Sequence, residues 1–285
     1  IELIMDNKEI FGYLLNCQQN SHNNNMNITT DGYITSYSAY TSMHKSNNIV
    51  TVSNVPATHF IPIFVHNDHY KRDQWQQCLR IHLTSIMTNK SLTDACIYVF
   101  TSLINTLLVE MFQSHTDKTA SCRTFQALLN IWRTFYQIVF NIPDVRNTII
   151  KKLDNFINNE NERHKSNTPD IGHLMVLASL FSYKDNMFVV IFYETMLRTM
   201  MWNHRKGCNI NNVQAVFQVT KITRNIVFFH RLFHEIIVGN KSMEDSIKNL
   251  DKTCCECPEL MEKMMIKWKL YNDKITNWNS YLDII

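Results

Sequence analysis

The chain has 285 residues, 45% of them hydrophobic, 19% charged and 11% aromatic, which is enough apolar material for a core, but it holds only five glycines and five prolines. So few turn-forming positions exclude a propeller, a sandwich or a β-helix, and glycines this isolated exclude a P-loop or a dinucleotide fingerprint. A net charge of +3 is too close to balance to mark a nucleic-acid binder, and eight irregularly spaced cysteines do not resemble the disulfide framework of a small secreted domain.

A reducing, cytoplasmic setting is therefore expected. No membrane partner is expected either, because Glu110 interrupts the most apolar run and the run 171–183 is too short. The chain opens on Ile1 rather than Met, as a piece of a longer protein would, and shows no signal peptide.

Residues 2–20 read as one short helix, followed by a polar connector. Residues 28–66 are β-branched and aromatic, interrupted by Asp31-Gly32, Asn47-Asn48 and Pro56, and read as short strands and extended segments. Pro62 argues against a central position for any strand that contains it. From about residue 70 the period is helical. Trp75, Cys78, Leu79, His82 and Ile86 share one face, and Ser91-Leu-Thr-Asp94 resembles a capping box opening a helix to about Phe112. Asp117 precedes a long helix through Phe140, and Pro143 sits at the first position of the next. Thr168-Pro169-Asp170 reads as an N-cap, an N1 proline and a first-turn acid, opening a helix whose Ile171, Leu174, Met175 and Leu177 enter the core. Further helices are expected over 185–203, 212–238, 242–250 and 258–283. Asparagine clusters at Asn23-Asn24-Asn25, Asn158-Asn159 and Asn211-Asn212 mark breaks between elements, because Asn caps helices better than it continues them.

The fold class expected is mainly α, an irregular multi-helix array of nine or ten helices with a small extended or β segment near the N-terminus. Residues 1–69 are expected to pack on a helical core over 70–257, with 258–285 as a C-terminal amphipathic helix.

Three constellations offer chemistry. Met261, Met264, Trp268, Tyr271, Ile275, Trp278 and Leu282 alternate +3 and +4 steps, a narrow seam that fits either a partner's groove or its own domain. Between Glu194 and Glu235 there is no acidic residue, while Arg198, Arg205, Lys206, Lys221, Arg224 and Arg231 all fall there. That basic patch suits an acidic partner or phosphates, or is simply a solvated face; nucleic acid is not favoured, since no nucleic-acid motif accompanies it. His230 and His234, one turn apart, with the Cys254/Cys257 C-x-x-C pair, make a possible Cys2His2 zinc set in reversed order. Zinc is thus the one cofactor weighed. His59, His66 and His69 form a weaker set without a fourth ligand. Asp170 with His173, or Glu194, are explained by capping and helix surface, so no catalytic residue is assigned.

Four segments carry a resemblance: His59-Phe-Ile-Pro-Ile-Phe-Val-His-Asn-Asp-His-Tyr70, Ser102-Leu-Ile-Asn-Thr-Leu-Leu-Val-Glu110, Arg163-His-Lys-Ser-Asn-Thr-Pro-Asp-Ile-Gly172 and Tyr193-Glu-Thr-Met-Leu-Arg-Thr-Met-Met-Trp202. In order, over about residues 30–205, they resemble a helical accessory region of large multidomain ubiquitin-conjugating and U-box-type proteins of giant viruses and protists, the mimivirus-like bifunctional ubiquitin enzymes. The resemblance implies a role in the ubiquitin pathway and, for a virus, a place in the host cytoplasm. It supplies no catalytic residue. The residues before the five prolines are Val55, Ile61, Ile142, Thr168 and Cys257, so the His-Pro-Asn element of a conjugating core is absent from this segment. A non-catalytic scaffold or protein-interaction module of a larger ubiquitin-pathway protein is the expected function. The alternatives are an anion- or nucleic-acid-binding helical domain and a zinc-stabilised module.

Overall fold

The computed structural model describes residues 10–19, 26–45, 57–63, 73–87, 90–113, 118–181, 186–239, 242–252 and 258–282. The fold is mainly α, with one small antiparallel sheet near the N-terminus. The chain divides into two compact units, one formed by residues 1–107 and 117–146 and the other by 108–116 and 147–285. The division thus falls elsewhere than at 69/70 and 257/258, because the N-terminal sheet packs with helices that lie on both sides of residue 108.

In the first unit, β1 (Phe11–Gln19) is the central strand between β2 (Met26–Ser36) and β3 (His59–Ile63). Residues 11–19 are therefore strand where a helix was expected. The reason is non-local: β1 is paired on both edges, with Phe11 opposite Ser36 on one side and Ile63 on the other. Pro62 lies on an edge strand, where its missing N–H breaks no ladder. It faces Gly12, where a Cβ would meet the Ile61 carbonyl and the Phe60 ring, so only glycine lets the two strands approach.

Helix α1 (Tyr37–Lys45) follows β2 directly and interrupts the expected run of extended segments. Ser36 caps it, accepting a hydrogen bond from Ala39 N at 3.2 Å. The face Trp75, Cys78, Leu79, His82 and Ile86 of α2 (Asp73–Ile86) is buried as its spacing predicts. His82 sits among the rings of Tyr37, Tyr40 and Phe60, at centroid distances of 5.7, 6.0 and 5.3 Å.

Helix α3 (Leu92–Gln113) opens on Ser91, whose Oγ accepts from Asp94 N at 3.1 Å and donates to the Asp94 carboxylate at 2.8 Å. By length and composition its stretch Leu92–Phe112 could cross a membrane in spite of Glu110, contrary to the reading of the sequence; 67% of its most apolar window is instead buried within the protein. In α4 (Lys118–Asn141) every residue from Ala127 to Val139 is buried, including Asn130, Arg133, Thr134 and Gln137. Asn130 donates to the Tyr13 hydroxyl, and Phe135 stacks on Phe100 at 5.3 Å, which ties α4 to β1 and α3.

The second unit is built from helices. Helix α5 (Pro143–Asn158), with Pro143 at its first position as expected, ends at Asn159, which caps a 3-10 turn over Glu160–Arg163. Next come α6 (Ile171–Ser179), α7 (Asn186–Arg205), α8 (Val213–Val219) and α9 (Lys221–Phe233). The expected helix over 212–238 is thus divided. Asn212 caps α8, and the chain breaks at buried Thr220, whose hydroxyl donates to Val216 O at 2.8 Å. A π turn over His234–Val238 ends at Gly239, which has a φ of +49°. Helices α10 (Met243–Asp251), α11 (Pro258–Lys274) and α12 (Trp278–Leu282) complete the unit. The C-terminal segment is therefore not one helix. Asn277 accepts from Ser280 N at 3.0 Å while Ser280 Oγ accepts from Asn277 N at 3.1 Å, a reciprocal cap that starts a new helix.

Candidate functional site

Four of the residues that carry the resemblance, Arg163, Thr168, Pro169 and Glu194, meet around the side chain of Arg198. Arg163 folds back over the end of α5, its Nε donating to Phe156 O at 3.1 Å and its Nη2 to Ile157 O. Arg198, on α7, pairs with Glu194 one turn earlier at 2.6 Å. Its guanidinium also donates to the carbonyls of Thr168, Pro169 and Arg163, the last at 2.7 Å. One planar fork with five donors thus holds the whole connection from the 3-10 turn to α6. This differs from the expected start of α6: Asp170, not Thr168, is the N-cap residue, its side chain makes no capping bond, and Pro169 stands before the helix. Thr168 serves through its carbonyl, and Arg198, one of the residues of the basic patch, is engaged as a clasp. Leu174, Met175 and Leu177 of α6 are buried as expected, and Ile171 is half-buried.

Arg224 is likewise drawn inward. It is 3% exposed, its Nη2 donates to Phe217 O at 2.6 Å, and its guanidinium carbon lies 3.4 Å from the centre of the Phe217 ring. Trp278 and Tyr281 of α12 close the box, with ring centres 5.6 and 5.5 Å from that carbon. Burial pushes the Arg224 guanidinium down to about 10, so it stays charged at neutral pH, held by carbonyl and ring electrons. Within the basic patch Lys221, Arg205 and Lys206 are exposed, Arg231 is half-buried, and Arg198 and Arg224 are engaged.

The C-terminal seam also turns toward its own unit where it is described. Trp268 lies against Phe112 at 5.2 Å, Trp278 stands edge-on to Phe217 at 5.4 Å, and Ile275 is half-buried. The side chains of Met261, Met264, Tyr271 and Leu282 lie outside the described residues.

Of the zinc set, Cys254 and Cys257 lie outside the described residues. His234 Nε2 donates to Phe181 O at 2.6 Å. His230 is fully buried, and burial pulls its imidazole down to about 3. His66 and His69 also fall outside the described residues, and His59 Nδ1 lies 2.8 Å from Thr58 Oγ1. No group of three metal-ligating side chains comes together among the described residues. Burial raises the thiols of Cys17, Cys78 and Cys96 to about 12, so all three are protonated at neutral pH and are poor nucleophiles. At the Asp170–His173 pair, burial lowers the imidazole, with the Asp170 charge opposing and Lys152 assisting.

What the sequence reading missed is on α7. Val189, Tyr193, Leu197 and Met201 follow one another at i+4 and are 51%, 73%, 52% and 46% exposed. This is a second apolar ridge, because the same helix already buries Met187, Phe188, Ile191 and Met196 toward the core. A helix apolar on more than one face belongs in a core, in a membrane or against a partner. The signal was available as too many large apolar residues in 187–202 for a single buried face.

The ridge rises over about 18 Å of helix, given 1.5 Å per residue. Beside it opens a cavity of about 300 Å³. Phe192, Tyr193, Met196 and Met200 form its α7 wall, and Val213, Val216 and Trp278 face them. That size lies at the lower edge of the roughly 300–1,000 Å³ range of small-molecule pockets, and an apolar lining of this kind accepts one large side chain. Where the ridge ends the charge changes: the next i+4 position after Met201 is Arg205, exposed, and Lys206 follows with its Nζ 4.9 Å from the centre of the Trp202 ring. Compared with known proteins, the chain matches no family model, no curated protein and no solved structure.

Proposed function

We propose that this chain is a non-catalytic helical protein-interaction module of a larger ubiquitin-pathway protein. The observation that carries the interaction role is the exposed ridge Val189, Tyr193, Leu197 and Met201 with a cavity open beside it. Large side chains held on a rigid helix next to a pocket offer apolar area at little cost in ordering, which is what an interaction surface needs. The ubiquitin-pathway placement is supported by the resemblance of the four segments alone. The non-catalytic reading is supported by the missing His-Pro-Asn element and by the protonated state of the buried thiols.

The test joins a charging reaction to a photo-crosslink. The chain, carrying a photo-reactive phenylalanine at position 197 and, in a second sample, at exposed Gln214, is incubated with activating enzyme, a conjugating enzyme, ATP and ubiquitin. The expected result is a crosslink to a ubiquitin-system protein from position 197 only, with no reducing-agent-sensitive ubiquitin adduct on the chain. A thioester on any cysteine overturns the non-catalytic reading. Equal crosslinking from both positions overturns the ridge as the interaction surface.

A further inference from the structure

The α7 ridge has a direction, and its charge pattern says what can lie on it. From Val189 to Met201 the i+4 row is wholly apolar; its continuation is Arg205, followed by Lys206, and His204 is exposed in the same last turn. Among the described residues neither Arg205 nor Lys206 has an ion-pair partner, nor does exposed Lys221 at the start of α9. The one acidic residue within α7, Glu194, pairs with Arg198. Among the described residues the row thus passes from apolar side chains at Val189–Met201 to positive charge at Arg205 and Lys206.

We infer that the occupant of this face is an amphipathic helix of a partner protein that lies antiparallel to α7, with acidic residues in its first turn and a large apolar anchor in the cavity beside Tyr193. This rests on the interaction-module reading and adds the partner's chemistry and polarity. Three physical reasons converge on it. An i+4 ridge of large side chains interdigitates with the i±4 grooves of another helix, and the row Val189–Met201 is three turns of such a ridge. Acidic residues in a helix's first turn stabilise that helix themselves, because they face the positive end of its dipole. Laid antiparallel, the same acidic turn meets Arg205 and Lys206, so one set of carboxylates serves both the partner's own helix and the docking. A second copy of this chain, in whose sequence Asp185 stands four residues before Val189, is the competing occupant that sedimentation distinguishes. The cavity, walled by Phe192, Met196, Met200 and Trp278, has at about 300 Å³ the volume for one large apolar side chain of the docked helix.

Four fluorescein-labelled 18-residue peptides test this by anisotropy on the full chain. All carry Leu and Trp at i+4 spacing; the first has Glu at three positions of its first turn, the second Gln there, the third Lys there, and the fourth has its Glu residues in the last turn. The first peptide is expected to bind at least tenfold more tightly than the second, to bind more tightly than the fourth, and to weaken as salt is raised. The third is expected not to bind. Leu197→Asp is expected to abolish binding of the first peptide. The pair Arg205→Gln and Lys206→Gln should weaken it about tenfold, to the level of the Gln peptide, while leaving the Gln peptide unchanged. All three substitutions lie at exposed or half-covered side chains, and far-UV circular dichroism checks that the fold persists. Equal binding of the Glu and Gln peptides overturns the acidic partner and leaves the interaction module standing, since the ridge still docks a helix. Tighter binding of the fourth peptide overturns the antiparallel polarity. Displacement of the first peptide by a short RNA at lower concentration than unlabelled peptide overturns the inference in favour of a nucleic acid. So does sedimentation showing a dimer that Leu197→Asp dissolves, which assigns the face to a second copy.

Discussion

Replacing Arg198 by alanine removes the side chain that ties the connection between α5 and α6 to α7. Its side chain is 14% exposed and that of Glu194 18%, so both ends of the pair are largely screened from water. The bonds to Thr168 O and Arg163 O are short, while the bond to Pro169 O, at 3.4 Å on an exposed residue, adds little. A hydrogen bond from a charged donor contributes about 1.5–3 kcal/mol, so the two good carbonyl bonds set an upper limit of about 3–6 kcal/mol. Thr168 is only half-buried and its neighbours are exposed, so water replaces part of what is lost and about 2–3 kcal/mol remains. That loss falls on one segment rather than on the whole chain. Hydrogen exchange followed by mass spectrometry reads it directly: protection of residues 159–181 should fall roughly 30- to 150-fold, at tenfold per 1.4 kcal/mol. Arg198→Lys keeps the charge and the Glu194 pair but loses the fork, and is expected to show about half the loss. Unchanged exchange over 159–181 in Arg198→Ala, with a urea midpoint that does not move, refutes the clasp.

Two further outcomes follow from the same geometry. Thr168→Ala leaves its carbonyl in place and removes a hydroxyl that caps nothing, so it should change stability by less than about 0.5 kcal/mol in urea unfolding, against the roughly 1 kcal/mol of a true N-cap deletion; a loss of that larger size would reinstate Thr168 as the cap. Burial holds His230 at about 3 and His82 at about 4, the latter helped by nearby His59, so between those values and the unfolded value near 6.5 the unfolded chain binds more protons than the folded one. Stability from these groups is full above pH 6.5 and declines as pH falls, by up to about 1.4 kcal/mol per pH unit for each histidine. His82→Phe should flatten the slope between pH 6.5 and 4 by one proton, and an unchanged slope would show that His82 is not held neutral.

Much of the local architecture was legible because its causes lie within a few residues. The Ser91-x-x-Asp94 start, the Pro143 start and the Asn159 and Asn212 caps are bonds between positions two or three apart, which a linear reading can find. The buried face of α2 follows from its period alone. The cap between Asn277 and Ser280 was equally local, but the long seam from Met261 to Leu282 overrode it, and an apolar period says nothing about whether one helix or two carry it.

What only the tertiary structure decided has a common physical reason: it depends on residues far away in the chain. Phe11–Gln19 is a strand because β2 and β3 lie on its two edges, and no local signal within nine residues encodes both partners. Arg198, Arg205 and Arg224 look alike in the sequence, yet carbonyls 29 to 35 residues upstream claim the first, an aromatic box closed by α12 claims the third, and the second is left in solvent. The α7 ridge is the same lesson with the sign reversed. Its composition fits burial, but the elements packed on α7 cover only one side, so Val189, Tyr193, Leu197 and Met201 are left facing out.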